Sequence, residues 1–389
     1  MGLLAEAGAL SERIVGTRRA IHRHPEIGFN EERTSALVAE RLGELGVEFA
    51  KMAGTGLVAT IRPDLGASAV ALRADMDAIP VPEETGFDFA SEVEGISHAC
   101  GHDSHVAMLL AAAELILAHA EELEHPVKLL FQPAEEVVPG GARKMIEEGC
   151  LEGVAEIHGI HVNPDHLTGE LGVRVGPMMA AMDSFALTVT GRGGHGAMPH
   201  QTRDPVHASA RVITALQQIS SRRVDPLDPV VVSVCAVHGG NAFNVIPDKV
   251  EMKGTCRTLS ASLHEKLPGM IEEVATRAAQ ACGCEAELGL DRGTPVLENE
   301  RGSYEKLTGR FRSLGGTVHE IQPTMGGEDF AYYLQKVPGA FAFLGVGGDG
   351  SVDRAKLHSG RLNIDEEALP LGAALLASMA LAPALELVE

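Results

Sequence analysis

The chain of 389 residues contains no tryptophan, and only 4% of it is aromatic. Positive charge is also scarce. Lys and Arg number 32 against 54 Asp and Glu, a formal net charge of −22. A surface of that sign repels phosphate backbones and anionic lipid, which excludes general binding to nucleic acid or a membrane surface. Long apolar runs are missing too. The best candidate, Val106 to Ala120, carries Glu114 and falls short of the roughly 18 residues that a membrane span needs. The opening Met-Gly-Leu-Leu-Ala-Glu lacks a basic stretch followed by an apolar one, so no secretory signal is expected there. Six cysteines, at 100, 150, 235, 256, 282 and 284, are too few for a disulfide framework in so long a chain. They suit a reduced, cytoplasmic setting. No Gly-x-Ser-x-Gly elbow and no Walker-type Gly-Lys-Ser/Thr occurs.

What is present is a globular composition, 45% hydrophobic and 22% charged, in a chain long enough for two or three domains of roughly 150 residues. Leu37, Val38, Leu42 and Leu45 recur at helical spacing before Gly46. Short strands are expected at Val58–Ile61, Ala69–Leu72, Val127–Phe131 and Ile157–Val162, with a buried helix over His105–Ala118. Alternation of this kind predicts an α/β layer with a mostly parallel sheet.

From about Ala180 the rhythm changes to β-α-β-β-α-β. The strands fall near 184–190, 230–237, 250–255 and 285–290, and the helices open at Asp204-Pro205 and Ser262. That order is ferredoxin-like. After Gly293 the α/β pattern resumes. The expected architecture is an α/β domain over 1–178 and 293–389, interrupted by a smaller α+β domain over 179–292.

The densest chemical signal is His98-Ala-Cys-Gly-His-Asp-Ser-His105, ahead of the buried helix. Three imidazoles, a thiol and a carboxylate make poor core material unless each has a partner. Cys and His suit zinc, cobalt or nickel, and Gly101 lets Cys100 and His102 turn toward one centre. A polar helix start with surface histidines is the plainer alternative. Glu135-Glu136 follows a buried strand, where α/β folds place functional groups, and could divide metal binding from proton transfer. His161 and His358 add two strand-end imidazoles, with His158 a competitor of His161. Five donors exceed one four-coordinate zinc, whereas two metals with a bridging ligand accommodate them. Gly191-Arg-Gly-Gly-His-Gly196 matches the dinucleotide fingerprint, but Pro199 and Asp204-Pro205 forbid the helix that a phosphate cradle requires. Gly345–Gly350 fails in the same way.

Taken together, His22-Arg-His-Pro-Glu, Leu72-Arg-Ala-Asp-Met-Asp, Cys100-Gly-His-Asp, Gln132-Pro-Ala-Glu-Glu, Gly159-Ile-His, Gly193-Gly-His-Gly, Asn244-Val-Ile-Pro-Asp, Gly254-Thr-Cys-Arg, Met325-Gly-Gly-Glu-Asp-Phe and Leu357-His-Ser form an ordered set. By these motifs the chain resembles the aminoacylase-like metallo-amidohydrolases, which include hippurate hydrolases, N-acyl-amino-acid hydrolases and auxin-conjugate hydrolases. The resemblance implies a metallo-aminopeptidase-like catalytic domain with an inserted lid or dimerisation domain. It implies two divalent ions (zinc, manganese, cobalt or nickel) held by Cys100, His102, Glu136, His161 and His358. Glu135 is then the general base, Asp77 orients a ligand, and His195 polarises the scissile carbonyl from its own or a partner subunit. Asn244 and Arg257 hold the substrate carboxylate, and Gly326 allows close backbone approach.

The reaction expected is hydrolysis of an N-acyl amino acid to a carboxylic acid and a free amino acid, by a homodimer or higher homo-oligomer. Alternatives on the same scaffold are a dipeptidase or carboxypeptidase, or an N-acetyl-diaminopimelate-type deacetylase. From other classes come a hydrolase with Cys100 as nucleophile and a non-catalytic metal- or ligand-binding protein.

Overall fold

The computed structural model describes residues 2–66, 68–138, 140–350 and 354–381. The chain divides into two compact units. The first comprises Met1–Gly176, Glu298–Gln322 and Asp329–Glu389, and the second Pro177–Leu297 and Pro323–Glu328.

The first unit is built on an eight-stranded sheet in the order Phe49–Met52, Gly56–Ile61, Val127–Gln132, Ala69–Asp75, Val154–Asn163, Gly339–Gly345, Glu170–Val173 and Thr317–Glu320. The four central strands run parallel, and antiparallel pairs lie toward the edges. Ala69–Asp75 and Gly339–Gly345 are buried along their whole length. That is why Gly339–Gly345 and the stretch Ala69–Leu72 read as continuous apolar runs instead of alternating ones. Helix His102–Ala118 buries 14 of its 17 residues. It packs against strand Ala69–Asp75 and helices Ser11–His22 and Leu369–Ala380. No helix among the described residues is long and apolar enough to cross a membrane.

Parallel register brings polar residues to one end of this sheet. Asp75 lies beside Gln132, and His161 beside Phe343, at the carboxyl ends of their strands. Ligand sites in open α/β sheets form there, because the connecting loops diverge at that edge.

The second unit has a four-stranded antiparallel sheet in the order Val230–His238, Lys249–Thr258, Ala181–Thr190, Glu285–Arg292. Its helices are Pro205–Leu216 and Ala261–Gln280. Asp204 caps the first by accepting from the backbone N–H groups of Val206 and His207, and Ser260 caps the second through Leu263. Each cap satisfies donors that a helix start otherwise leaves unpaired. Phe185, Leu187 and Val189 point into a core shared with Val212, Leu216, Leu267 and Ile271.

Candidate metal centre

The cluster in the first unit starts from a backbone requirement. Gly101 adopts φ of +87°, and a Cβ there would lie 2.5 Å from a methyl of Val162. Only glycine fits both demands, and the turn it allows carries Cys100 and His102 into one buried space. Cys100 Sγ lies 3.4 Å from Nε2 of His161. His161 engages the carbonyl of Val162 through Nδ1 at 2.7 Å, which makes Nδ1 the protonated nitrogen. His102 meets Asp77 in the same way, Nδ1 to Oδ1 at 3.2 Å, and its buried Nε2 has no hydrogen-bond partner among the described residues.

Two imidazoles whose Nδ1 is tied back and whose Nε2 faces a thiol are arranged as metal ligands commonly are. His158, the competitor, does not join them. It lies 3.0 Å from Glu156, on the strand face away from His161.

A second group adjoins the first. Ligand atoms of Cys100, Glu136 and His358 lie within 4.8 Å of one another, as do those of Cys100, His102 and His161, and those of His102, Glu135 and Glu136. Five donors from four separated segments thus form two trios that share Cys100. His358 Nε2 sits 3.0 Å from Glu136 Oε1, and its backbone N–H donates to the carbonyl of Ala99 at 2.7 Å. The backbone of His358 is left-handed, with φ of +63°. Such strain in a residue other than glycine persists only where surrounding contacts over-determine it.

Burial pushes the Cys100 thiol well above its usual value, although the charge of His102 opposes this. A thiolate here therefore needs a cation beside it. Burial pushes His161 down to about 3, which keeps it neutral and able to donate its lone pair. At Glu136 burial acts upward, but the hydrogen bond from His358 and the charge of His102 outweigh it and hold the carboxyl low. A buried thiol, the neutral imidazole of His161, the neighbouring imidazole of His102 and an ionised carboxylate are donors of the kinds that borderline-soft divalent metals take. The residues present fit such ions.

Apart from Asp77, sequence reasoning missed the supports of this cluster. Asp75 takes a hydrogen bond from His105 Nδ1 at 2.5 Å, while His105 Nε2 accepts from the backbone N–H of Val162 at 2.9 Å. Both nitrogens of His105 are therefore committed to structure. Arg73 bonds Gln132, Asp75 and Asp329 at 2.8, 2.5 and 2.9 Å. Asp77 also accepts from the backbone N–H of Glu136 at 3.0 Å, so one carboxylate sets both His102 and Glu136. Glu31 is fully buried and accepts from Thr55 and from the backbone N–H of Ala134, a residue held at φ of +54° directly before Glu135. Glu135 accepts from the backbone N–H of Asp329 at 3.3 Å. The motif Leu72-Arg-Ala-Asp-Met-Asp did contain Arg73 and Asp75. Nothing local marked them as buried.

In the second unit, His195 lies on a two-residue ribbon opposite Val245. The backbone N–H of Gly196 donates to the carbonyl of Asn244 at 2.8 Å, so His195 and Asn244 flank one exposed tip. Arg257 donates to the carbonyl of Met325 at 2.7 Å, and the carbonyl of Gly326 accepts from Ala180. Arg257 and Gly326 are therefore also neighbours.

Comparisons with known proteins agree over nearly the whole chain. The sequence profile of Peptidase family M20/M25/M40 matches residues 71–382. IAA-amino acid hydrolase ILR1-like 4 of Arabidopsis thaliana is 42% identical, across 99% of this chain and 88% of its own length. N-acetyl-L-cysteine deacetylase of Bacillus subtilis is 39% identical, across 92% and 85%. Thermostable carboxypeptidase 1 of Saccharolobus solfataricus is 40% identical, across 92% of each. Among solved structures, the YXEP protein of Bacillus subtilis, described as a dinuclear metal binding peptidase from the M20 family, superposes with a TM-score of 0.84. It is 34% identical and covers 96% of this chain and 99% of its own.

Proposed function

The chain belongs to peptidase family M20/M25/M40, and from that premise we propose that it hydrolyses the amide bond of N-acyl amino acids, releasing a carboxylic acid and a free amino acid. The observation that carries this reading is the pair of donor trios sharing Cys100. Cys100, His102, Glu136, His161 and His358 are the residues that would hold two divalent ions. When bound, such ions acidify water and draw electron density from a carbonyl oxygen.

The rest falls to side chains. Glu135 stands within 4.8 Å of the His102 donor atom without being needed as a ligand. It takes a proton from the attacking water and returns it to the nitrogen of the leaving amine, so base and acid are one group used twice. Asp77 keeps His102 and Glu136 in place during the exchange.

Substrate contacts come from the second unit. His195 stabilises the developing oxyanion, Asn244 and Arg257 bind the carboxylate of the amino acid, and Gly326 lines their approach. The insert at 179–292 serves as lid and dimerisation domain within the catalytic scaffold. Six free cysteines suit a reduced cytoplasmic setting. Thiolate and imidazole donors favour zinc, cobalt or nickel over manganese. Against Cys100 as nucleophile stands its burial, which keeps it a thiol where a nucleophile needs to be a thiolate. A peptide substrate is the second reading, favoured by the likeness to thermostable carboxypeptidase 1.

The test is amide hydrolysis on acetyl, benzoyl and indoleacetyl amino acids and a dipeptide. Each is run as purified, after chelation, and after zinc, manganese, cobalt or nickel is restored. Activity is expected to vanish on chelation and return with metal. Glu135→Gln should lower kcat by about 10²–10⁴-fold, the range for a lost general base. Turnover that survives complete metal removal overturns the mechanism. A dipeptide hydrolysed faster than every acyl amino acid moves the assignment to the peptidase reading.

A further inference from the structure

The stretch beginning at His22 contributes no donor to the metal cluster, yet His22 is only 3% exposed. Its Nδ1 lies 2.7 Å from Oδ2 of Asp103, the residue next to His102, and its Nε2 lies 3.2 Å from Glu83. One turn earlier on the same helix face, Arg18 donates from Nε to the same Asp103 oxygen at 2.9 Å. The other side of the Arg18 guanidinium reaches Glu366 at 2.8 Å, and Arg19 grips Glu366 as well. Glu366 follows His358 by eight residues. A single buried guanidinium thus spans two carboxylates, one fixed to the segment of Cys100 and His102, the other to the segment of His358.

The two trios share Cys100, but His358 reaches the second of them from an exposed, strained loop. Its side chain is 56% exposed, and its backbone is tied to the Cys100 segment by one hydrogen bond, to the carbonyl of Ala99. We propose that Arg18 and His22 are positioning residues that set the His358 segment against the Cys100–His102 segment and so hold the second donor trio in register with the first. This rests on the reading of the cluster as a site for two ions. Planar guanidinium geometry is central to it. An Arg presents donors along two edges at once, whereas a Lys ammonium in the same place keeps the charge but does not bridge both carboxylates in that fixed geometry.

The experiment is a cobalt titration into metal-free wild-type, Arg18→Lys and Glu366→Gln proteins. It is followed by ligand-field absorption and by ions bound per chain at equilibrium dialysis, with thermal melting in parallel. Wild type should take two ions. In Arg18→Lys the first ion should bind within about threefold of wild type while the second weakens by about 10–100-fold, the usual cost of losing an outer support of a ligand. Glu366→Gln leaves both partners of Asp103 in place and should show the same selective loss, so it carries the test if Arg18→Lys does not fold.

Two ions bound by both variants as tightly as by wild type overturn the clamp. An equal weakening of both ions that tracks a lower melting temperature also overturns it, because a general loss of stability then explains the effect. A wild type that saturates with one ion overturns the two-ion reading itself, and the titration of wild type alone separates that result from failure of the clamp.

Discussion

The two units of this chain bury their sheets by opposite rules. Strand Ala69–Asp75 in the first is buried at all seven positions, charged residues included, while strand Ala181–Thr190 in the second turns every other side chain inward. A parallel sheet covered on both faces leaves no solvent side for a charge. Arg73 and Asp75 remain there because each has an opposite charge and hydrogen bonds within reach. An antiparallel sheet covered on one face lets most of its polar residues face water, and the one buried charge on this strand, Asp183, is likewise paired, with Arg292 and His264. Chemistry built in the first unit is therefore largely enclosed, with His358 the exposed exception. The candidate residues His195 and Asn244 in the second stand on an exposed tip.

Breaking the contrast on the first side should have the larger effect. Arg73→Met leaves Asp75 and Asp329 buried without their cation and should cost about 3–5 kcal/mol, read as a lower chemical-denaturation midpoint. In the second unit, Leu187→Ala should cost about 2–5 kcal/mol, whereas Thr188→Ala, on the opposite face of the same strand, should stay within about 0.5 kcal/mol. Equal costs for neighbours 187 and 188 would show that the one-sided burial is wrong.

The smallest effect is a pH dependence that His22 and Asp103 bring to the first unit. At His22 burial acts downward, yet the charge and hydrogen bond of Asp103 prevail and raise its pKa to about 9. Its contribution is complete below about pH 6.5 and is lost as pH rises toward 9, a change on the order of 1–3 kcal/mol. Asp103 itself, buried but held far below the usual carboxylate range by Arg18 and His22, contributes above about pH 4 and loses that contribution as pH falls. Denaturation midpoints between pH 6 and 9 should fall in wild type and flatten in His22→Gln.

How far the sequence was legible follows the same division. Alternation marked the strands of the second unit, and Asp204-Pro205 marked its first helix start, because each signal is local. The compact run at Val127–Phe131 likewise showed a buried strand. The short edge strands Phe49–Met52 and Thr317–Glu320 gave no signal, being four residues long and largely exposed. Helix Ala261–Gln280 runs through Pro268, a residue that local rules treat as a breaker, and the core contacts of Leu267 and Ile271 hold it.

At the site, Cys100 and His102 stood out because Cys and His so close together are rare, whereas Glu136, His161 and His358 gained meaning only as a set with them. Arg18 and Asp75 did not stand out, since a charged residue looks like a surface residue until its partner, here as far as 348 positions away, is known. Asp77 entered the sequence reading only through the family motif, and the contacts that give it work span 25 and 59 positions.

The spread of the donors along the chain has a consequence for its biosynthesis. Cys100, His102 and His161 have all left the ribosome long before His358 is made. At about 5–20 residues per second that interval is roughly 10–40 s. The residues of the first trio are thus all made while the second trio does not yet exist, although strand Gly339–Gly345, which pairs with the strand of His161, is still to come. On the proposed two-ion reading, the site is complete only once His358 has been made.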